Sequence, residues 1–209
     1  MITVYGYPKT RTNRVTWMLE ELGVDYKFSF VDLMKGEGRS ESYRSINPSG
    51  KVPSLSDNDL VLTESAAILT YLGDKYGTPP LVPAPGSSER GTHDQWLCFA
   101  IAELEQPLWT MGKHKFALPK ERRVAEIFET AAWEFQQALA LLSAGLGDKD
   151  YILEGGFSAA DIVIGHTLFW GLSFKQPIEQ ENLNAYINRL KDRPARLAAI
   201  EQENQAANQ

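Results

Sequence analysis

The sequence predicts a small α/β domain followed by an all-helical domain, and three observations carry that expectation. From Met1 to Gly77, alternating and helical patterns follow one another in the order β-α-β-α-β-β-α, which suits a mixed sheet with helices on its faces. The stretch TPPLVPAPGSS, from Thr78 to Ser88, is rich in Pro, Gly and Ser and reads as a linker. Beyond it nearly every long segment has helical spacing. The domains are therefore expected at residues 1–80 and 87–209.

The elements follow from local pattern. ITVYGY is a short β-rich run that puts Tyr5 and Tyr7 on one side and Ile2, Val4 and Gly6 on the other. Thr12 and Asn13 are helix-start residues, Val15, Met18, Leu19 and Leu22 give helical spacing, and Gly23 stops the helix. YKFSFVDL alternates like a strand and residues 41–46 suit a short helix. SLSD and LVL flank Asn58-Asp59 as a hairpin, and a helix from Glu64 to Tyr76 closes the domain. Later patterns predict helices over residues 89–111, 120–145, 158–172 and 182–204, with the polar tail ENQAANQ frayed. In GGFSAADIVIG, Ser158 and Asp161 have capping-box spacing and Phe157 with Ile162 can form the accompanying staple, so Asp161 reads as structural.

Composition narrows the function. With 209 residues and 43% hydrophobic content the chain can build packed cores. A net charge of -6 and a pI near 5.2 argue against a nucleic-acid surface. KHKFALPKERR, from Lys113 to Arg123, is the concentrated basic run; it reads as a solvated helix-loop-helix connection, the alternative being a counter-charge for an anionic ligand. No apolar run approaches the roughly 20 residues of a membrane span, and MITVYGYPK lacks a signal-peptide pattern. A cytoplasmic protein without membrane partners is expected. The single cysteine, Cys98, fits a reducing compartment, and its neighbours in WLCFAIAELEQPLW predict a buried small hydrophobe. His93, His114 and His166 have no metal-site spacing, and no GxGxxG or P-loop is present, so no metal is expected.

The segment from Asn47 to Gly77, NPSGKVPSLSDNDLVLTESAAILTYLGDKYG, carries the binding chemistry. Val52-Pro53 is a turn that can aim the Val52 N–H and C=O outward, where an extended peptide could pair with them like an added strand. Thr63-Glu64-Ser65 precedes Ala67, Ile68, Tyr71 and Leu72, placing the triplet at a helix start whose free N–H groups favour a carboxylate. Ser65 adds a hydroxyl, and Glu64 can take an ammonium group. Taken singly, Pro53 can be only a turn former, and Thr63 or Ser65 only an N-cap. Together they suit a small acidic thiol peptide.

NPSGKVPSL followed by LTESAAILTYL resembles the cytosolic glutathione S-transferase family, and the likeness extends over nearly the whole chain. The resemblance implies a thioredoxin-like first domain, an all-helical second domain, glutathione as co-substrate and a homodimer. It implies that Val52 pairs with the cysteinyl part of glutathione beside Pro53, that Glu64 and Ser65 bind its γ-glutamyl end, and that Lys51 or Arg39 meets its glycyl carboxylate. The implied reaction adds the glutathione thiolate to a small hydrophobic electrophile, a detoxification chemistry. Isomerisation, disulfide reduction and a non-catalytic interaction module are the alternatives.

A cysteine-like thiol has a pKa of about 8.5, so activation requires an anion-stabilising donor. Lowering that value by two units needs about 2.7 kcal/mol. A helix N-terminus supplies up to ~2 kcal/mol and a hydrogen bond to a charged acceptor roughly 1.5–3 kcal/mol, so one hydroxyl there suffices. The loop YGYPKTRTNRV lacks the family's usual serine, and counting back from Arg14-Val15 makes Thr10 the first candidate. Thr12 and Asn13 come next, either as donors or as plain N-caps, and Tyr7 follows. The absence of cysteine in this loop separates the chain from members that form mixed disulfides through their own thiol. For the electrophile pocket the candidates are Phe99, Glu103, Trp109 and His114, although helical spacing of Trp96, Phe99, Leu104 and Leu108 equally suits a core.

Overall fold

The computed structural model describes residues 1–78 and 80–208. Contacts gather Met1–Val82 and Asp192–Gln209 into one compact unit and Pro83–Lys191 into another. The first unit is a thioredoxin-like layer of β1 (Ile2–Gly6), α1 (Thr12–Leu22), β2 (Tyr26–Phe30), α2 (Glu41–Arg44), β3 (Ser54–Asp57), β4 (Leu60–Thr63) and α3 (Ser65–Tyr76). The sheet order is β2-β1-β3-β4, with β1 parallel to β2 and antiparallel to β3, and β3 antiparallel to β4.

The period-2 reading of β1 is visible in its burial: Ile2, Val4 and Gly6 are buried and Thr3 and Tyr5 only partly so. Gly6 is required where β1 hands over to α1, because a Cβ there would lie 2.1 Å from Thr12 Cγ2. α1 buries Val15, Met18, Leu19 and Leu22 as expected and ends at Gly23, whose φ is 63°. It also buries Arg14, Thr16 and Trp17, because α3 packs on it and so does α9 (Pro194–Ala207), the last helix. α9 belongs to this first unit, whereas the sequence reading ran one domain through residues 87–209.

The β3-β4 hairpin turns at Asn58, with φ 52°, and its last inward residue, Asp57, is 3% exposed. Asp57 Oδ2 accepts from Tyr71 Oη at 2.8 Å, Lys75 Nζ at 2.6 Å and Tyr76 Oη at 2.5 Å. These bonds, the Lys75 one foremost, hold the Asp57 carboxyl down to about 2. One acid thereby fixes the hairpin to α3.

The second unit contains α4 (Ser88–Phe99), α5 (Glu105–Gly112), α6 (Ile127–Leu146), α7 (Ala159–Ser173) and α8 (Glu181–Lys191). The helix expected over 89–111 is interrupted by a wider π turn, Ala100–Leu104, and a second π turn spans Lys113–Ala117. The helix expected from residue 120 begins at Ile127. Arg123 instead closes the preceding segment, donating to Leu118 O at 2.8 Å, Lys115 O at 3.0 Å and Phe116 O at 3.0 Å. The basic run is therefore a connection stapled by its own arginine.

Three further expectations need correction. The helix read over 182–204 is two helices, α8 and α9, because Pro194 has no N–H to continue a helix and opens a new one at its first turn. The tail does not fray at Glu203: α9 runs to Ala207 and Glu203 is 2% exposed. Cys98 is exposed, since His93, Leu97, Ala100 and Leu104 define the inner face and Cys98 lies one residue round from Leu97.

At the start of α7, Asp161 is fully buried and accepts four hydrogen bonds. Ile152 N at 2.9 Å and Tyr186 Oη at 2.7 Å reach Oδ1, while Ser158 N and Ser158 Oγ, both at 2.8 Å, reach Oδ2. The capping box joins three segments of the unit. Phe157 packs edge-on against Tyr151, with centroids 5.5 Å apart.

Candidate functional site

In the first unit the segments singled out by sequence meet around the β1–α1 loop, the Val52-Pro53 turn and the start of α3. The Val52-Pro53 bond is cis; Val52 is half-buried and Pro53 buried. The carbonyl just ahead of it is fixed from two directions: Lys51 O accepts from Tyr43 Oη at 2.7 Å and from Asn47 Nδ2 at 2.8 Å. Asn47 Nδ2 also donates to Ser54 Oγ at 3.1 Å, and its Oδ1 accepts from Ser49 N at 3.0 Å and Ser49 Oγ at 2.8 Å. The Tyr43 proton is on Lys51 O, so the Ser54 hydroxyl, 3.0 Å away, donates to Tyr43 Oη. Burial pushes the Tyr43 phenol up, which keeps it a donor at neutral pH.

Glu64 stands at the N-cap of α3 with φ 65° and ψ 108°, a left-handed conformation rare outside glycine, and its side chain makes no capping bond. The first-turn N–H groups have no intrahelical acceptor. Ser65, 5% exposed, accepts from Arg14 Nη1 at 3.2 Å, so its own hydrogen can point to a ligand.

Arg39 and Lys51 are both exposed. Their loops touch back to back, for a Cβ on Gly38 would lie 2.6 Å from Gly50 O, and Gly50 has φ 67°. Glycine in both positions is what allows the two basic residues to come from adjoining loops. A groove of about 410 Å³ bordered by Leu33, Lys35, Arg39 and Gly50 runs beside them.

Within the β1–α1 loop Arg11, not Thr12 or Asn13, occupies the N-cap of α1. Thr10 Oγ1 donates to Tyr7 O at 2.6 Å, accepts from Thr12 N at 3.2 Å and lies 2.9 Å from Thr12 Oγ1. Thr12 Oγ1 accepts from Tyr7 N at 3.3 Å. With the Thr10 hydrogen on Tyr7 O, the hydrogen between the two hydroxyls belongs to Thr12. Thr12 and Asn13 are buried, whereas Thr10 is half-buried. Asn13 Nδ2 donates to Glu203 Oε1 at 3.3 Å. The Tyr7 ring stacks on Phe30 with centroids 5.4 Å apart, and both border a groove of about 390 Å³.

The proposed electrophile residues, all in the second unit, occupy different settings. Phe99 packs edge-on against Trp96, Trp109 leans on Trp170, and Glu103 is exposed. His114 Nδ1 accepts from Val124 N at 2.9 Å, which ties its ring to the stapled connection. No group of three or more His, Cys, Asp or Glu among the described residues could hold a metal ion. No described helix is long and apolar enough to cross a membrane.

Sequence reasoning missed Tyr43, Asn47, Ser54, Arg14 and Glu203. Asn47 carried a signal, since Asn followed two residues later by Ser suits an Asx turn. Glu203 carried none.

Residues 1–74 match the family model for the glutathione S-transferase N-terminal domain. Glutathione S-transferase F10 of Arabidopsis thaliana is 30% identical over 165 residues, covering 78% of this chain and 77% of that protein. Glutathione S-transferase GstA of Escherichia coli O157:H7 is 30% identical over 179 residues, with 84% and 86% covered. The crystal structure of glutathione transferase URE2P6 from Phanerochaete chrysosporium, in complex with oxidized glutathione, superimposes with a TM-score of 0.84 at 29% identity, covering 98% of this chain and 97% of that one. With relatives of this identity extending over most of both chains, and the N-terminal model matched across the cis-proline turn and into α3, this chain belongs to the glutathione S-transferase family.

Proposed function

We propose that this glutathione transferase binds reduced glutathione along the Val52-Pro53 turn and the start of α3, ionises its thiol at the β1–α1 loop, and adds the thiolate to a small hydrophobic electrophile. The observation that carries the reading is the uncapped end of α3 behind Glu64, with Ser65 Oγ already accepting from Arg14 and so able to donate outward. Val52 N–H and C=O pair with the cysteinyl part, Glu64 takes the γ-glutamyl ammonium, Ser65 and the α3 amides take the γ-glutamyl carboxylate, and Lys51 or Arg39 meets the glycyl carboxylate.

Thr10 remains the first choice for the thiol. Its hydrogen lies on the neutral Tyr7 carbonyl, and moving it to a thiolate exchanges a neutral acceptor for a charged one, which roughly doubles the strength of the bond. Thr12 and Asn13 are already engaged within the loop and with Glu203. In the reaction the thiol proton leaves to solvent, the thiolate supplies the electron pair of the new C–S bond, and a displaced group departs with its own pair. Phe99, Glu103, Trp109 and His114 remain the candidates for the electrophile's surroundings, and a homodimer is proposed, to be checked by light scattering.

Disulfide reduction is the second reading, favoured by the oxidized glutathione held by URE2P6. There the bound thiolate attacks a disulfide, releases one thiolate, and a second glutathione resolves the mixed disulfide as oxidized glutathione. Cys98, in the second unit, is not assigned a part.

The deciding experiment is a pH titration of the ultraviolet thiolate absorbance of glutathione bound to the protein. A midpoint below that of free glutathione supports the activating site. Binding with an unshifted midpoint points to a carrier or regulatory module, and no binding removes the reading.

A further inference from the structure

A buried acid stands behind the β1–α1 loop. Glu203, on α9, is 2% exposed and its Oε1 accepts from Thr16 Oγ1 at 2.6 Å and from Asn13 Nδ2 at 3.3 Å. The Lys9 amide, in a residue with φ 60°, also donates to this carboxyl. The other end of α9 is tied separately, Arg193 Nε and Nη2 meeting Glu21 Oε1 and Oε2 at 2.6 and 2.8 Å. α9 therefore runs antiparallel to α1 and delivers its acid to the end of α1 where the thiol is proposed to ionise.

The other charged groups on the packed elements have their own settings. From α1, Arg14 donates to Ser65, Glu21 pairs with Arg193, and Glu20 accepts from Tyr26 Oη of β2 at 3.0 Å, a phenol that also feels the charge of Glu203. Lys27 of β2 and the Lys9 side chain are exposed, and Arg11 is half-buried at the N-cap. On α9 itself Glu201 is exposed, and half-buried Arg196 feels the charge of Asp192. Burial pushes the Glu203 carboxyl up to about 7, against the pull of its three donors.

One proton selects between two arrangements at the first turn of α1. When ionised, Glu203 takes the Thr16 hydroxyl hydrogen in a short, charge-assisted bond. Thr16 Oγ1 also lies 3.3 Å from Asn13 O and 3.4 Å from Thr12 O. When protonated, Glu203 can give its own hydrogen to Thr16 Oγ1, and Thr16 turns to one of those carbonyls. A carboxylate held by Thr16, Asn13 and Lys9 and a thiolate at the β1–α1 loop stand at the same end of α1, and like charges disfavour one another.

We propose that Glu203 is a positioning residue of the thiol site: it holds the Lys9–Asn13 segment from the side of α9, and its charge opposes thiolate formation at the start of α1. The inference rests on the glutathione reading above. Linkage makes the opposition reciprocal, so a bound thiolate raises the Glu203 midpoint as much as the Glu203 carboxylate raises that of the thiol.

The test is a pair of titrations on the full chain with glutathione as the probe. Thiolate absorbance is followed against pH for wild type, Glu203→Gln and Arg193→Ala. The Glu203 carboxyl carbon is followed by NMR in wild type with glutathione and with S-methylglutathione, which has no ionisable thiol. The expected results are a lower thiol midpoint in Glu203→Gln, an unchanged one in Arg193→Ala despite its lower stability, and a higher Glu203 midpoint with glutathione than with S-methylglutathione. Equal thiol midpoints in wild type and Glu203→Gln would overturn the inference. So would equal Glu203 midpoints in the two complexes, a measurement that depends on no variant folding. If neither peptide binds, the glutathione reading fails and takes the inference with it; binding with unlinked titrations sinks the inference alone.

Discussion

Ser65 receives a hydrogen bond from Arg14, and this leaves its hydroxyl one direction in which to give. Ser65→Ala removes a donor to a carboxylate, worth roughly 1.5–3 kcal/mol. Glutathione affinity is expected to fall about tenfold or more, since each 1.4 kcal/mol is one decade. Calorimetric titration giving the wild-type affinity would remove Ser65 from the site. Thr10→Ala is expected to raise the midpoint of the bound thiol while Thr10→Ser preserves it, and equal absorbance titrations in all three would exclude the hydroxyl. Local geometry was legible where the motif itself held it, as with the Val52-Pro53 turn and the helix start at Glu64-Ser65. Tyr43, Asn47 and Ser54 were not, because their role is to meet at Lys51 O and Tyr43 Oη, and the meeting depends on how α2 and β3 are brought together. Sequence spacing carries backbone direction well and side-chain convergence poorly.

The same division appears in the elements. Strand alternation, the Gly23 stop and the Ser158–Asp161 start were all visible because each depends on neighbours in the chain. The π turn at Ala100–Leu104 and the break at Pro194 were read as continuous helix, since apolar spacing persists through them. Asp161 shows what an element start can anchor. A simple N-cap is worth about 0.5–2 kcal/mol, but Asp161→Ala would leave Ile152 N, Ser158 N, Ser158 Oγ and Tyr186 Oη without their acceptor. Each buried unsatisfied donor costs about 1–3 kcal/mol, so the expected loss exceeds the capping range. A denaturant midpoint near wild type, with unchanged m, would show that water or rearrangement replaces the carboxylate.

At the scale of the whole molecule, two buried acids of the first unit act on stability with opposite signs. Asp57 is held down to about 2 from its ordinary 3.8, so the unfolded chain binds its proton more readily. Its stabilising contribution is fully present above about pH 4 and is lost as the pH falls through about 2. Glu203 is pushed up to about 7 from 4.5, so the folded chain binds the proton more readily. That preference favours folding below about pH 4.5 and disappears progressively as the pH rises to about 7, costing on the order of 3 kcal/mol across the window. The sum is a stability profile that climbs from strongly acid pH to about 4 and then declines toward neutrality. Glu203→Gln cannot ionise and is expected to show a shallower decline, the remainder belonging to Asp161, which burial also pushes up, while Asp57→Asn is expected to show a weaker acid limb and to be less stable near pH 5. Chemical denaturation at half-unit pH intervals separates the two. A Glu203→Gln profile that falls as steeply as wild type between pH 4.5 and 7 would show that other groups, Asp161 among them, carry the whole slope and that the acid beneath the β1–α1 loop does not titrate in that window.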